Sequence, residues 1–241
     1  MQEKYRGIVL TAVSFGENDK ILTIFTLEKG VISARIKGVK KAGAKLKFAS
    51  EPFCFAEFLF SSGTLGGTPG RTVTGASLID SFYPVREDIV KFFAGGTVLE
   101  FVKKFYRENI SDPEFFLSMI EALKNIAYGS ADAKAYLAEF LTAALEENGY
   151  ALKTDGCPCE NVEVNRAFFD YRRGAFFCEE CFDGVGREIT VTTYNAFIKI
   201  GRGERLDGDE GEKCIKLLDY YLEKKAEERL KSLKELIKIC G

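Results

Sequence analysis

Apolar and polar residues alternate through the first eighty positions of the chain. Ile32, Ala34 and Ile36 interleave with Ser33, Arg35 and Lys37, the period-two pattern of a strand with one buried and one solvent face. Segments rich in β-branched and aromatic residues, separated by Gly, Asn, Asp or Pro, predict strands over 5–10, 20–26, 31–39, 52–60 and 71–78. Turns are expected at Glu17-Asn18-Asp19 and Glu28-Lys29-Gly30. Five short strands in this span imply a small closed or nearly closed barrel.

From residue 85 the period becomes helical. Ile89, Phe92, Phe93, Leu99, Val102 and Phe105-Tyr106 form an apolar stripe, and Gly95-Gly96 within it predicts a kink or a close neighbour. Asp112-Pro113, an N-cap followed by Pro at the first helical position, starts a second helix that runs to Tyr128-Gly129. Ser130 is expected to cap a third, lined by Tyr136, Leu137, Phe140, Leu141, Ala144 and Leu145 and stopping at Asn148-Gly149. Three helices with short connections predict a bundle, with the domain boundary at 82–86. Further on, 189–200 is apolar and β-branched, and the acidic run 207–212 reads as solvated loop or helix lead-in. Two closing helices are lined by Cys214, Leu217, Leu218, Tyr221 and Leu222, and by Leu230, Leu233, Leu236 and Ile237. The charges between them, Lys224, Lys225, Arg229, Lys231 and Lys234 included, read as an ordinary solvated face.

Charge sharpens this picture. Residues 29–50 hold seven basic residues and no acid, whereas the whole chain carries −2, so the remainder sums to −9. Arg35 and Lys37 project from one strand face, and 40–45 follows as a flexible basic loop. Lysines on a strand edge also discourage aggregation, but seven cations without an acid favour a surface for a polyanion such as nucleic acid. The five-stranded oligonucleotide-binding (OB) barrel is the common fold of this size that handles such a ligand. The Gly-rich segment 61–70 fails as a phosphate-cradling P-loop: Gly70-Arg71-Thr72 replaces Gly-Lys-Thr, Leu65 stands where the first Gly belongs, and the segment joins two strands. It reads as a mobile hairpin loop.

An apolar share of 46% and a charged share of 29% describe an ordinary folded chain. With no signal-peptide pattern and no apolar run approaching the roughly 18 residues of a membrane helix, a cytoplasmic protein without a membrane partner is expected. The absence of His excludes every mechanism built on imidazole, so a zinc site must use thiolates or carboxylates. Of the seven cysteines, Cys157-Pro158-Cys159 and Cys178-Glu179-Glu180-Cys181 flank a hairpin whose Phe168-Phe169 and Phe176-Phe177 bracket the turn Arg172-Arg173-Gly174. That is the outline of a zinc ribbon, in which structural Zn2+ bound by four thiolates at about 2.3 Å replaces a core too small to form. The first pair is one residue shorter than usual. Cys54 and Cys214 read as core. A thiol-redox protein, or a metal hydrolase using Asp155, Glu160 or Glu179, is the enzymatic rival, disfavoured by the missing His, P-loop and compact carboxylate cluster.

The chain resembles the bacterial RecO family of DNA repair proteins over essentially its full length. The resemblance rests on Gly7-Ile8-Val9-Leu10, then Glu17, Asp19-Lys20-Ile21-Leu22, Ile24-Phe25-Thr26, Glu28 and Gly30, then Lys37-Gly38-Val39-Lys40-Lys41, Pro52-Phe53 and Leu230-Lys231-Ser232. Ala44 stands where the family often has Ser, and the first cysteine pair is CxC where CxxC is usual. The implied fold is α+β: a five-stranded OB-like β-barrel over 1–82, then a helical bundle domain over 83–241 with a four-Cys zinc-ribbon-like knuckle inserted at about 155–185.

The implied activity is that of a recombination mediator, not an enzyme. Such a protein binds ssDNA and dsDNA, anneals complementary strands and, with its partner RecR, helps load RecA onto DNA coated by single-strand-binding protein (SSB), in the nucleoid. On this reading Lys20, Arg35, Lys37, Lys40, Lys41, Lys45 and Lys47 track phosphates. Phe15 or Phe48 is available to stack on bases, although core burial is the favoured fate of both. Lys103, Lys104 and Arg107, beside an apolar groove, receive the acidic, Phe-ending SSB tail. The alternative is a zinc-ribbon scaffold that binds only proteins, with the basic stretch as a dock for acidic peptides.

Overall fold

Strands β1 (Gln2–Phe15), β2 (Asp19–Thr26), β3 (Gly30–Ile36), β4 (Phe55–Leu65) and β5 (Thr68–Asp80) close into a barrel in the order β1-β2-β3-β5-β4. They come from a computed structural model that describes residues 2–65, 68–159 and 164–240. All ladders are antiparallel except β3 with β5, which pair in parallel from Ala34↔Arg71 to Ile36↔Val73. The alternating residues fill the interior: Val9, Leu22, Ile24, Ile32, Ala34, Ile36, Ala56, Phe58, Phe60 and Val73 are all buried in one cluster.

In β1 the register with β2 slips between Val9 and Thr11, so an extra residue enters the strand and the pleat changes phase. Ala12, opposite Leu22, then packs on the core, while Val13, opposite Ile21, faces out. β3 stops at Ile36 and not at residue 39, because Gly38 adopts φ +66° and turns the chain out of the ladder. The segment 61–70, expected as a hairpin loop, is mostly strand: β4 and β5 remain paired to Leu65↔Thr68, and residues 66–67 lie outside the described residues.

The chain divides into two compact units, Met1–Arg86 with Leu99–Glu121, and Glu87–Val98 with Ala122–Gly241. Helices α1 (Ile89–Phe105) and α2 (Pro113–Tyr128) therefore contribute to both. In the first unit, Phe25 meets Tyr106, Phe115 and Phe116 at ring distances of 5.5, 6.3 and 5.4 Å. The link between the helices lies along β3, where Asn109 N–H donates to the Val31 carbonyl at 2.9 Å and Glu108 accepts from Ser33 Oγ at 3.1 Å. Gly30, at φ +68°, makes this approach possible, since a Cβ there would overlap the Ile110 carbonyl.

The second unit holds α3 (Ala133–Glu147), the sheet β7-β6-β8 (Ala175–Cys178, Ala167–Asp170, Arg187–Ile189), α4 (Val191–Gly201), α5 (Gly208–Tyr221) and α6 (Lys231–Cys240). Asp132 and not Ser130 caps α3, accepting from Lys134 N–H at 2.8 Å; the shorter lead leaves Ser130 outside the first turn. The β-branched run 189–200 folds mainly as α4, because Thr190 caps it and its apolar residues Ala196 and Phe197 are buried, Phe197 against Phe176 of the sheet. The acidic run is the start of α5, where Asp207 and Glu210 form a reciprocal capping box and the acids face the positive helix end. The Gly95-Gly96 pair lies inside an unbroken α1 and admits a neighbour: a Cβ on Gly96 would sit 3.2 Å from Ser232 Oγ.

Gly30→Ala is expected to lower the unfolding free energy by at least about 2 kcal/mol in urea denaturation, since positive φ and the carbonyl overlap act together. Gly16→Ala, at φ +62° but with open space around it, should cost about 1 kcal/mol.

Candidate nucleic-acid interface and metal centre

The basic stretch leaves the barrel at the end of β3 and returns at β4. Its course is a run of i→i+3 bonds, Lys41 N–H to Gly38 O, Ala44 to Lys41, Lys47 to Ala44 (3.2 Å each) and Ser50 to Lys47 (3.1 Å), ending in a 3-10 turn at Phe48–Ser50. The segment expected as a flexible loop is thus a chain of tight turns, anchored by Leu46 against the core and by buried Ala49 and Ser50.

Of the seven expected phosphate contacts, two have partners within the protein. Lys20 Nζ donates to Ser50 O at 3.2 Å and Glu51 Oε1 at 2.9 Å. Arg35 pairs with Asp19 through Nε at 2.7 Å, and its guanidinium lies 5.0 Å from the Phe15 ring centroid. The same carboxylate accepts the Gly38 N–H at 2.7 Å; that amide, then Arg35, hold Asp19 below the usual carboxylate range. Lys37, Lys40, Lys41, Lys45 and Lys47 are exposed, and none forms an ion pair among the described residues. Phe48, at 38% exposure, is not core: the 3-10 turn directs Ala49 and Ser50 inward in its place. Phe15 is half-buried beneath Arg35.

Lys103 and Lys104 are exposed on the last turn of α1. Arg107 lines a cavity of about 220 Å3 with Phe105, Tyr106, Ile110, Ser111 and Asp112, which the two lysines do not reach. Two cations of the closing segment are engaged internally, Arg229 with Glu223 at 2.7 Å and Lys234 with Glu223 at 3.2 Å.

The four cysteines of the knuckle converge. Cys157 and Cys159 come from the loop before the sheet, Cys178 from the end of β7 and Cys181 from the turn that follows. Their sulfurs all lie within 4.8 Å of one another, with Cys159 at 3.2 Å from Cys157 and 3.4 Å from Cys178. A tetrahedral tetrathiolate with metal–sulfur bonds of about 2.3 Å needs sulfurs about 3.8 Å apart, which these separations bracket; a disulfide needs about 2 Å. The shortened first pair therefore still fits a metal ion.

Burial opposes ionisation of Cys157, but the amides of Cys159 and Cys178 hold its pKa down at about 7. Hydrogen bonding to Cys157 pushes both Cys159 and Cys181 up. A bound cation would favour the thiolate form of all four. Tyr194 fixes the loop by accepting the Cys157 N–H at 2.9 Å.

A metal is not the sole support of this hairpin. Phe169 and Phe176 are fully buried, against Tyr221 at 5.5 Å and Phe197 at 4.9 Å, and Phe168 stacks on Phe182 at 4.2 Å. The expectation that metal replaces an absent core is corrected, because α4 and α5 supply one. Of the carboxylates considered for hydrolysis, Glu179 is paired with Arg166 and Glu160 lies outside the described residues. A groove of about 580 Å3 beside the sheet is lined by Arg166, Arg187, Lys213 and Lys216, yet Arg166, Lys213 and Lys216 are neutralised by Glu188, Asp209 and Glu212. Among the described residues, no helix is long and apolar enough to cross a membrane.

Sequence reasoning did not find Asp19, Glu51 or Tyr194. Each acts through a partner 16 to 37 positions away, and no local spacing marks such pairs.

Barrel order, cationic turn-loop and thiol knuckle together define an OB-type protein with a helical second unit carrying a candidate metal centre. The chain belongs to the RecO family of DNA repair proteins: residues 1–82 match "Recombination protein O N terminal" and residues 86–234 match "Recombination protein O C terminal". Among its relatives, "DNA repair protein RecO" of Bacillus pumilus is 29% identical over 180 residues, covering 74% of this chain and 68% of the relative. The protein of the same name from Exiguobacterium sibiricum is 25% identical over 249 residues, covering 98% and 96%.

Tyr194→Phe should destabilise the second unit by about 1–2 kcal/mol in urea denaturation, because the Cys157 amide loses its acceptor.

Proposed function

We propose that the chain is a DNA repair mediator without catalytic turnover, which binds ssDNA and dsDNA, anneals complementary strands and, with RecR, helps load RecA on SSB-coated DNA. The reading is supported by family membership and carried by one observation: five exposed lysines, none with a carboxylate partner among the described residues, on a turn-built loop of an OB-type barrel. Lysines already neutralised inside the protein have little charge to offer, whereas unpaired ones release counterions from every phosphate they meet. On this reading 1–82 is the DNA-binding domain, with Lys37, Lys40, Lys41, Lys45 and Lys47 on the backbone and exposed Phe48 stacking on a base for roughly 1–3 kcal/mol. Lys20 and Arg35 flank that surface.

The helical domain, 83–241, carries the knuckle. Cys157, Cys159, Cys178 and Cys181 would hold structural Zn2+ with no position left for substrate, fixing the loop before β6 to the end of β7. The small cavity lined by Phe105, Tyr106, Arg107 and Ile110 suits the aromatic end of an acidic tail, with Lys103 and Lys104 adding charge nearby.

Wild type and a Lys40, Lys41, Lys45 triple alanine variant, titrated with labelled single-stranded and duplex oligonucleotides across a salt series, test the DNA reading. The variant should bind more weakly, with the log–log duplex salt slope shallower by about 0.9 per lysine removed. No binding by the wild type even at low salt would leave only a protein scaffold.

Elemental analysis after purification without chelator should find zinc, and Cys178→Ser should lose it. Chelation should lower the melting temperature of the second unit and leave barrel folding intact, since no thiol of the cluster lies in the barrel.

A further inference from the structure

The end of the β1–β2 turn and the start of β2 grip both ends of the basic loop. On the leaving side, Asn18 O accepts the Lys40 N–H at 3.0 Å, and Asp19 divides its oxygens, Oδ1 taking the Gly38 N–H at 2.7 Å and Oδ2 the Arg35 guanidinium. On the returning side, the next residue, Lys20, holds Ser50 O at 3.2 Å and Glu51 at 2.9 Å. Three consecutive residues thus bracket the turns that carry Lys40, Lys41, Lys45 and Lys47, and Lys37 lies between the two groups held by Asp19, Arg35 and Gly38. Gly38 at φ +66° is where the chain leaves β3, so the acceptor at Asp19 sets the direction in which the loop departs.

We propose that Asp19 and Lys20 are positioning residues of the nucleic-acid site: the start of β2 is a clasp that pre-organises the lysine-bearing loop for a phosphate backbone. This rests on the reading of that loop as the DNA site. Its consequence is opposite in sign to charge alone. Removing an acid from a cationic surface raises local charge and should strengthen binding to a polyanion. Removing Asp19 from this surface frees Gly38 and Arg35, and binding then carries the cost of ordering the loop.

Asp19→Ala and Asp19→Asn change the net charge equally, so a difference between them reports position and not charge. Asparagine retains an oxygen for the Gly38 amide and should bind a labelled oligonucleotide within about twofold of wild type, whereas alanine should bind about fivefold or more weakly. The double variant Lys20→Met with Glu51→Gln deletes a neutral pair and should weaken binding at an unchanged salt slope. Alanine binding as tightly as asparagine, or more tightly than wild type, overturns the proposal. Should Asp19→Ala fail to fold, as judged by circular dichroism and urea denaturation, the neutral double variant decides, and wild-type affinity there overturns it. The Lys40, Lys41, Lys45 triple alanine variant on the same oligonucleotide separates the two levels: wild-type affinity in that variant removes the DNA-site reading itself.

Discussion

Three residue pairs close the barrel. The parallel ladder from Ala34↔Arg71 to Ile36↔Val73 is the shortest of its seams, and without it β3 and β5 would each present an open edge. Closure fixes which face of β3 turns inward: Ile32, Ala34 and Ile36 are sealed in the core, so Arg35 must point out, towards Asp19 where β2 begins after the β1–β2 turn. It also brings the chain out at Gly38 beside that turn, and everything basic that follows is suspended from this exit.

Two groups of cations contrast in how they are paired. Arg35, Lys20, Arg166, Arg173, Lys199 and Lys234 have carboxylate partners and brace one element against another. Lys37, Lys40, Lys41, Lys45 and Lys47 have none, and they lie together on one loop. In a chain whose formal charge is only −2, this clustering leaves a local positive field on the loop. Screening over roughly 8 Å at physiological ionic strength keeps that field close to the loop.

The knuckle illustrates a different division of labour. Its hairpin has an apolar core of its own, Phe169 and Phe176 against Tyr194, Phe197 and Tyr221, so secondary structure there does not wait on a metal. What packing does not supply is a restraint on the two loops that bring Cys157, Cys159 and Cys181 to Cys178. Four sulfurs within 4.8 Å of one another are placed for a cation to supply it.

Period-two alternation marked five strands, helical periodicity marked α1, α2, α3, α5 and α6, and the two cysteine pairs marked the knuckle, because each signal is written in neighbours a few positions apart. The slip in β1, the continuation of β4 and β5 through the Gly-rich segment and the conversion of 189–200 into α4 were decided by strand pairing and by burial against distant residues, which override local propensity. Charge count determined that a basic surface exists. Only the tertiary structure decided which of its cations are free, since pairing Lys20 with Glu51 or Arg35 with Asp19 depends on two strands and a loop meeting in space, a matter of register that no spacing along the chain encodes.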